Sequence, residues 1–229
     1  MDSWNRGPLR VSVISSRAGV STGVLVEVRE TALLVDCGDG VARDLADAGF
    51  APARLSAVLV THDHGDHAGG LLGLFWWLRA RRRTAPLVLW RPADAPTVHG
   101  TVRLYRTVFR GRARFTIRER TLAHERTIRA GPIRVTTFPV RHRRSASDPP
   151  GQLMEVHGLR LEAAGRRVVI SADTGPCARL AAECAGADLA VIEATWRSAP
   201  DPPAPDTHLT RAEAEALGRT ARDFLPYHT

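Results

Sequence analysis

The 229-residue sequence contains no lysine and a single asparagine, Asn5. Its three cysteines, Cys37, Cys177 and Cys184, are odd in number and lack metal-site spacing. That argues against a disulfide scaffold and fits free thiols in a reducing compartment. No run approaches the roughly 20 apolar residues of a membrane span. Met1 to Arg10 has no apolar segment of the kind a secretory signal needs. The expectation is a cytoplasmic protein with no membrane partner. Without lysine, all 32 basic residues are arginine, set against 24 acidic ones, for a formal net charge of +8. Arginine grips phosphate with a planar fork, so the balance suits a phosphate-bearing partner. Codon bias toward Ala, Arg, Gly and Pro accounts equally well for the choice of arginine over lysine.

What is present suits one domain over residues 1–229, large enough to bury a core without staples. Val11–Ile14, Val24–Val28 and Leu33–Val35 are short β-branched runs that read as consecutive antiparallel strands. Val41–Ala48 reads as a helix stopped by Gly49. Leu55–Val60 is a buried strand, and the pattern Leu71, Leu72, Phe75, Leu78 predicts a helix over Ala68–Arg83. Leu87–Trp90 is a strand and Ala95–Phe109 a helix. Short strands return from Phe115 to Val140, with a loop at Ser145–Gly151. Val156–Leu161, Val168–Ser171 and Leu189–Glu193 are strands. Pro176–Cys184 is a helix with proline in its first turn, and Ser198–Pro205 is a proline-rich loop. Thr210–Arg222 is a helix with Glu213 placed for a capping box. Two strand-rich halves with interspersed helices predict two sheets with helices outside.

Three of the nine histidines fall in Thr61-His62-Asp63-His64-Gly65-Asp66-His67. The run follows a strand and precedes a helix, where a tight turn can aim several side chains at one place. His62 and His64 alternate by two and share a face on extended chain. Imidazole and carboxylate are the ligands that divalent zinc accepts, and Gly65, Gly69 and Gly70 permit sharp folding.

The run resembles the H-x-H-x-D-H signature of the metallo-β-lactamase superfamily, and the resemblance extends over nearly the whole chain. Leu34-Val35-Asp36-Cys37-Gly38 is similar to the first family motif, whose Asp supports the metal loop. Ser171-Ala172-Asp173-Thr174-Gly175 is similar to the later motif whose Asp bridges two metals. The resemblance implies a four-layer αββα sandwich of two mixed β-sheets with helices on the outer faces. It implies two divalent ions, zinc in the first place, with manganese or iron as alternatives. His62, His64 and His142 would hold one ion, Asp66, His67 and His228 the other, and Asp173 would bridge them.

Ser21-Thr22, Asp36-Cys37-Gly38-Asp39-Gly40, Glu193-Ala194-Thr195 and Thr207-His208-Leu209-Thr210 look most like the ribonuclease Z and phosphodiesterase branch. That likeness implies attack by a metal-held hydroxide on phosphorus of RNA or of a small nucleotide or cyclic phosphodiester. Glu193 would orient His208, and His208 would protonate the leaving oxygen; Asp66 also enters the catalytic set. His208 remains an alternative to His228 as the last metal ligand. A homodimer is implied as well. Two features depart from the branch. No Gly/Pro-rich protruding arm is present, and Arg143, Arg144 and Ser145 follow His142 where proline and aromatic residues belong. An acyl hydrolase, lactonase or thioesterase, remains open on the same scaffold, as does a nucleic-acid-binding or biosynthetic accessory protein with reduced catalysis. The basic stretch Arg103, Arg106, Arg110, Arg112, Arg114, Arg118 and Arg120 reads as a phosphate or RNA contact, or as a solvated face. Trp76 and Trp77 read as core and dimer-face residues, and Cys177 as packed within its helix.

Overall fold

The computed structural model describes residues 2–229 apart from 146, 150, 201, 202 and 205. The chain forms two compact units, Met1–Leu122 and Ala123–Thr229.

In the first unit seven strands make one mixed sheet in chain order: β1 (Asp2–Arg6), β2 (Leu9–Arg17), β3 (Ser21–Val28), β4 (Thr31–Val35), β5 (Leu55–Leu59), β6 (Leu87–Arg91) and β7 (Ile117–Thr121). β1 to β4 are antiparallel neighbours, whereas β4 to β7 are parallel. Parallel neighbours need a crossover, and helices supply each one. α1 (Val41–Asp47) links β4 to β5, α2 (Gly65–Ala68) and α3 (Leu71–Ala80) link β5 to β6, and α4 (Pro96–Val108) links β6 to β7. Leu71, Leu74, Phe75 and Leu78 of α3 and Val98, Val102 and Tyr105 of α4 recur at helical spacing. They pack with Leu34, Val58 and Leu89 of the sheet in one buried cluster.

The apolar pattern predicts one helix over Ala68–Arg83, but the chain breaks between α2 and α3. There the Gly70 N–H leaves the helical ladder for the Cys37 carbonyl at 2.9 Å, and the Cys37 N–H bonds the His67 carbonyl at 2.7 Å. A Cβ on Gly70 would lie 1.9 Å from the Gly38 carbonyl oxygen, so the two segments cross at a distance only glycine allows. β1 leaves no trace in the apolar pattern, because only Trp4 of its five residues is buried.

In the second unit the sheet order is β13 (Asp223–Tyr227), β12 (Leu189–Glu193), β11 (Arg166–Ile170), β10 (His157–Ala163), β9 (Ile133–Pro139), β8 (Thr127–Ala130). β8 to β11 form an antiparallel meander; β11, β12 and β13 run parallel. α5 (Ala178–Cys184) and α6 (Arg211–Gly218) make the two crossovers, and Leu180 and Ala214 pack with Val169, Ala190 and Ile192 in its core. α6 begins at the expected capping box: the Thr210 hydroxyl accepts the Glu213 N–H at 3.2 Å, and the Glu213 carboxylate accepts the Thr210 N–H at 2.8 Å. α5 is shorter than expected. Cys177 is its N-cap, so Pro176 stands outside the helix and Cys177 is only partly buried at its entrance. Residues 146, 150, 201, 202 and 205, within the loops expected at Ser145–Gly151 and Ser198–Pro205, lie outside the described residues.

In each unit, the residues singled out by the sequence stand at the carboxyl ends of strands. Asp36 follows β4, the histidine run follows β5, Asp173 follows β11, Glu193 ends β12 and His228 follows β13. Ligand sites in α/β sheets form at such ends. Among the described residues, no helix is long and apolar enough to cross a membrane.

Candidate metal centre

The first unit builds its donors around Asp36. This residue leaves β4 with φ 60°, in the left-handed region that short polar side chains tolerate. Its buried carboxylate accepts the Thr61 N–H at 2.7 Å, the Thr61 hydroxyl at 2.9 Å and the His67 Nδ1–H at 2.9 Å. One side chain thereby holds both ends of the histidine run. The Thr61 hydroxyl, having given its proton to Asp36, faces His62 Nδ1 at 3.0 Å as an acceptor. Asp66 accepts the Gly19 N–H at 2.8 Å and stands 3.9 Å from His67 Nε2.

Asp63 lies between His62 and His64 but serves another purpose. Its two oxygens accept the N–H groups of Thr97 at 2.8 Å and Val98 at 3.1 Å, the first turn of α4. Ala95, the residue at the cap position, has no side chain that could do this. A ligand loop and a helix start are thus fastened together.

The second unit repeats the scheme with Glu193, which is fully buried. Its Oε1 accepts the Thr174 N–H at 3.0 Å, the Leu209 N–H at 3.1 Å and His208 Nδ1–H at 3.0 Å. Its Oε2 accepts the Thr195 N–H at 3.0 Å and the Thr195 hydroxyl at 2.8 Å. The Thr195 oxygen in turn faces His228 Nδ1 at 2.8 Å. His228 Nε2 lies 3.5 Å from Asp173 Oδ2, and His208 Nδ1 lies 3.8 Å from the same oxygen. His142 donates Nδ1–H to the Thr207 carbonyl. Glu193, His208 and His228 each place one ligand atom within 4.8 Å of the others.

A third anchor, Asp206, fixes the loops that carry His142 and His208. It accepts the Arg141 guanidinium at 2.7 and 2.9 Å and the Gly151 N–H at 3.2 Å. Burial alone would raise its pKa, but the Arg141 contact and the Gly151 N–H bring it below the ordinary carboxylate value.

The donor chemistry fits divalent metal. His62, His67, His142 and His228 each direct Nδ1–H at an oxygen, which makes Nε2 the nitrogen with the lone pair. His62 Nε2 and His64 Nδ1 are 3.1 Å apart. Two nitrogens on one tetrahedral zinc, at bonds of 2.0–2.1 Å, would be separated by about 3.3 Å.

The structure therefore places His62, His64, Asp66 and His67 together in the first unit. It places Asp173, Glu193, His208 and His228 together in the second, with His142 beside Thr207. The roles of Asp63, Thr195 and Asp206 are not legible in the sequence. Asp63 lies within the histidine run and Asp206 beside the Thr207-His208 motif, but their partners are 34 to 65 residues away along the chain. Trp76 is 47% exposed on α3, whereas Trp77 packs against the core.

Comparison with known proteins agrees with this anatomy. The sequence profile of the β-lactamase superfamily domain matches residues 31–228. A ribonuclease Z of Bradyrhizobium sp. (strain ORS 278) is 32% identical over 244 aligned positions, covering 85% of this chain and 78% of that protein. Among solved structures, the metallo-β-lactamase fold protein YhfI of Bacillus subtilis superimposes with a TM-score of 0.75 at 20% identity, covering 97% of this chain and 86% of that one. The short form of human tRNase Z gives a TM-score of 0.75 at 19% identity, covering 95% and 92%. At these identities the two structures speak to fold, and the two mixed sheets with their helices are those of the metallo-β-lactamase fold. With the profile match and the sequence relative, they place the chain in the metallo-β-lactamase superfamily, within its ribonuclease Z-like branch of metal-dependent hydrolases.

Proposed function

We propose that the protein is a dinuclear, zinc-loaded phosphodiesterase acting on RNA or on a smaller nucleotide phosphodiester. His62, His64 and His142 would hold one ion, Asp66, His67 and His228 the other, with Asp173 shared. When bound, two such ions supply an activated water at neutral pH and neutralise charge on the phosphoryl oxygens. The observation that carries the reading is the Glu193–His208 pair at 3.0 Å. A phosphodiester expels an alkoxide, which needs a proton as it departs. Glu193 holds the His208 ring by its Nδ1–H and leaves Nε2 facing outward; with a second proton there, as the imidazolium that a neighbouring carboxylate stabilises, His208 would give that proton to the leaving oxygen and revert to neutral imidazole. The ribonuclease Z relatives support the same class of bond. Bis(p-nitrophenyl) phosphate hydrolysis before and after chelation is the test: turnover lost with the metal and regained with zinc is expected. No chelator-sensitive turnover would remove the proposal.

One observation favours a second reading. Pro176, Trp196, Pro200, Pro203 and His208 line an apolar cleft of about 160 Å³, which suits the carbon chain of an acyl substrate. A lactone and thioester panel, active while phosphodiesters are not, would decide for an acyl hydrolase.

We also propose a homodimer through α3 and α4. Trp76 (47% exposed), Leu104 (47%) and Val108 (41%) lie on these two packed helices, and large apolar side chains left in water favour burial by a second copy. Light scattering should give a dimer mass, and Trp76→Glu should give a monomer.

A further inference from the structure

α4 sorts its residues onto three faces. Val98, Val102 and Tyr105 enter the core. Leu104 and Val108 lie on one flank. His99, Arg103 and Arg106 occupy the other, at three- and four-residue steps that Arg110 continues in the turn beyond the helix. Together with β7 this basic flank walls an open groove of about 530 Å³, lined by His99, Arg103, Arg106, Thr107, Arg110 and Glu119. Among the described residues Glu119 is the only carboxylate in that lining, and it is already engaged by Arg106 at 2.9 Å, His99 at 3.2 Å and Arg91 at 3.4 Å. Among the described residues no carboxylate pairs with Arg103 or Arg110. Protein surfaces ordinarily intersperse charges of opposite sign. Two exposed guanidinium groups on one helix flank, with the local carboxylate already taken, leave an electrostatic vacancy for an anion.

The flank is also physically tied to the histidine run. Asp63, between His62 and His64, holds the N–H groups of Thr97 and Val98, and His99 comes next in the chain. From that fastened end, the helix carries Arg103 and Arg110 away along its axis. At 1.5 Å per residue Arg110 lies roughly 15–20 Å from it. A single nucleotide or cyclic diester is too short to touch both ends; a chain of several phosphates is not.

We propose that the α4 flank, through Arg103 and Arg110, binds the phosphate backbone of single-stranded RNA and leads the strand toward the histidine run. This rests on the phosphodiesterase reading and narrows its substrate class to a polymer. Contacts of this kind position a strand without reading its bases.

The test is fluorescence anisotropy with a labelled 20-nucleotide 2′-O-methyl RNA on the full, metal-loaded protein. Bis(p-nitrophenyl) phosphate turnover is assayed in parallel. Each phosphate neutralised on a single strand contributes about −0.7 to the slope of log K against log salt. R103E/R110E should weaken binding at least tenfold and flatten that slope by about 1.4. The milder R103Q and R110Q should each flatten it by about half as much, and R103K/R110K should restore it. Binding and slope that all these variants leave unmoved overturn the proposal. So does capture by phosphatidylserine vesicles with no RNA binding. RNA bound through Arg103 and Arg110 without any diester turnover sustains this surface and removes only the phosphodiesterase reading.

Discussion

Glu193 Oε1 lies 3.0 Å from His208 Nδ1, and the same carboxylate closes the turn after Asp173 by accepting the Thr174 N–H at 3.0 Å. A proposed proton donor and a proposed metal bridge are therefore referenced to one buried side chain. His208→Ala should lower kcat on a diester with an alkoxide leaving group by about 10²- to 10⁴-fold. On bis(p-nitrophenyl) phosphate the loss should be much smaller, since a nitrophenolate departs without a proton. Elemental analysis should find the metal content of this variant unchanged. Loss of one metal per chain would instead make His208 a ligand and return His228 to question.

Asp36 has a different consequence, because it touches the loop and not the substrate. Asp36→Ala strips acceptors from the buried Thr61 N–H, the Thr61 hydroxyl and His67 Nδ1–H. Leaving such groups without partners costs about 1–3 kcal/mol each. The expected result is a stability loss of several kcal/mol in urea titration. Asp36→Asn, which keeps one acceptor, should retain the fold but weaken metal affinity by about 10- to 100-fold. Asn behaving like wild type in a competition with a chelating dye would show that the Asp36 charge does not tune the histidines.

These two anchors also show what can be read without coordinates. The histidine run is legible because its donors are contiguous and sit between a strand and a helix. Asp36 and Asp173 are legible because each ends an apolar strand in a small-residue turn. Asp63 carries the same side chain as Asp66 and lies three residues from it, yet caps α4. The choice depends on where residue 97 arrives in space, and no local pattern encodes that. Asp206 and Thr195 join segments 65 and 33 residues apart, so their roles exist only once the sheet is assembled. The helix break at Gly69–Gly70 belongs to the same class. The backbone bonds that Gly70 and His67 make with Cys37 take the place of helical ones, and they exist only in the folded chain.

Metal removal should destabilise as well as inactivate. His67, His62, His142 and His228 are each locked with Nδ1 as donor, so their lone pairs are prepared for a cation before one arrives. A metal bound at about 1,000 times its Kd contributes roughly 4 kcal/mol by mass action. Chelation should therefore lower Tm by several degrees, and zinc should restore it. Manganese and iron in the same titration rank the alternatives. A Tm indifferent to chelation, in protein shown to carry metal beforehand, would contradict the ligand assignment.

His157 should control stability under mild acid independently of the metal centre. Burial chiefly, and the neighbouring His124, push its pKa down to about 4; Glu155, which accepts its Nε2–H at 2.9 Å, opposes them only in part. The His124 ring lies tilted against His157, 4.5 Å away between ring centroids. The unfolded chain, with a pKa near 6.5, takes up a proton first as pH falls, so stability declines between about pH 6.5 and 4. Below that the folded form is protonated too and the decline from this group ends. A difference of about 2.5 pH units corresponds to roughly 3 kcal/mol. Asp188 acts in a lower window: the Arg167 N–H and the Arg166 and Arg222 guanidinium groups hold its pKa below the ordinary carboxylate value, so its contribution is lost only as pH falls through that depressed pKa. The informative quantity is the stability gap between wild type and His157→Gln in urea. Gln carries no charge to gain, and the gap should shift in favour of the variant by about 3 kcal/mol from pH 7 to pH 4. A gap that stays constant across that range would mean that His157 is protonated as easily in the folded protein as in the unfolded chain.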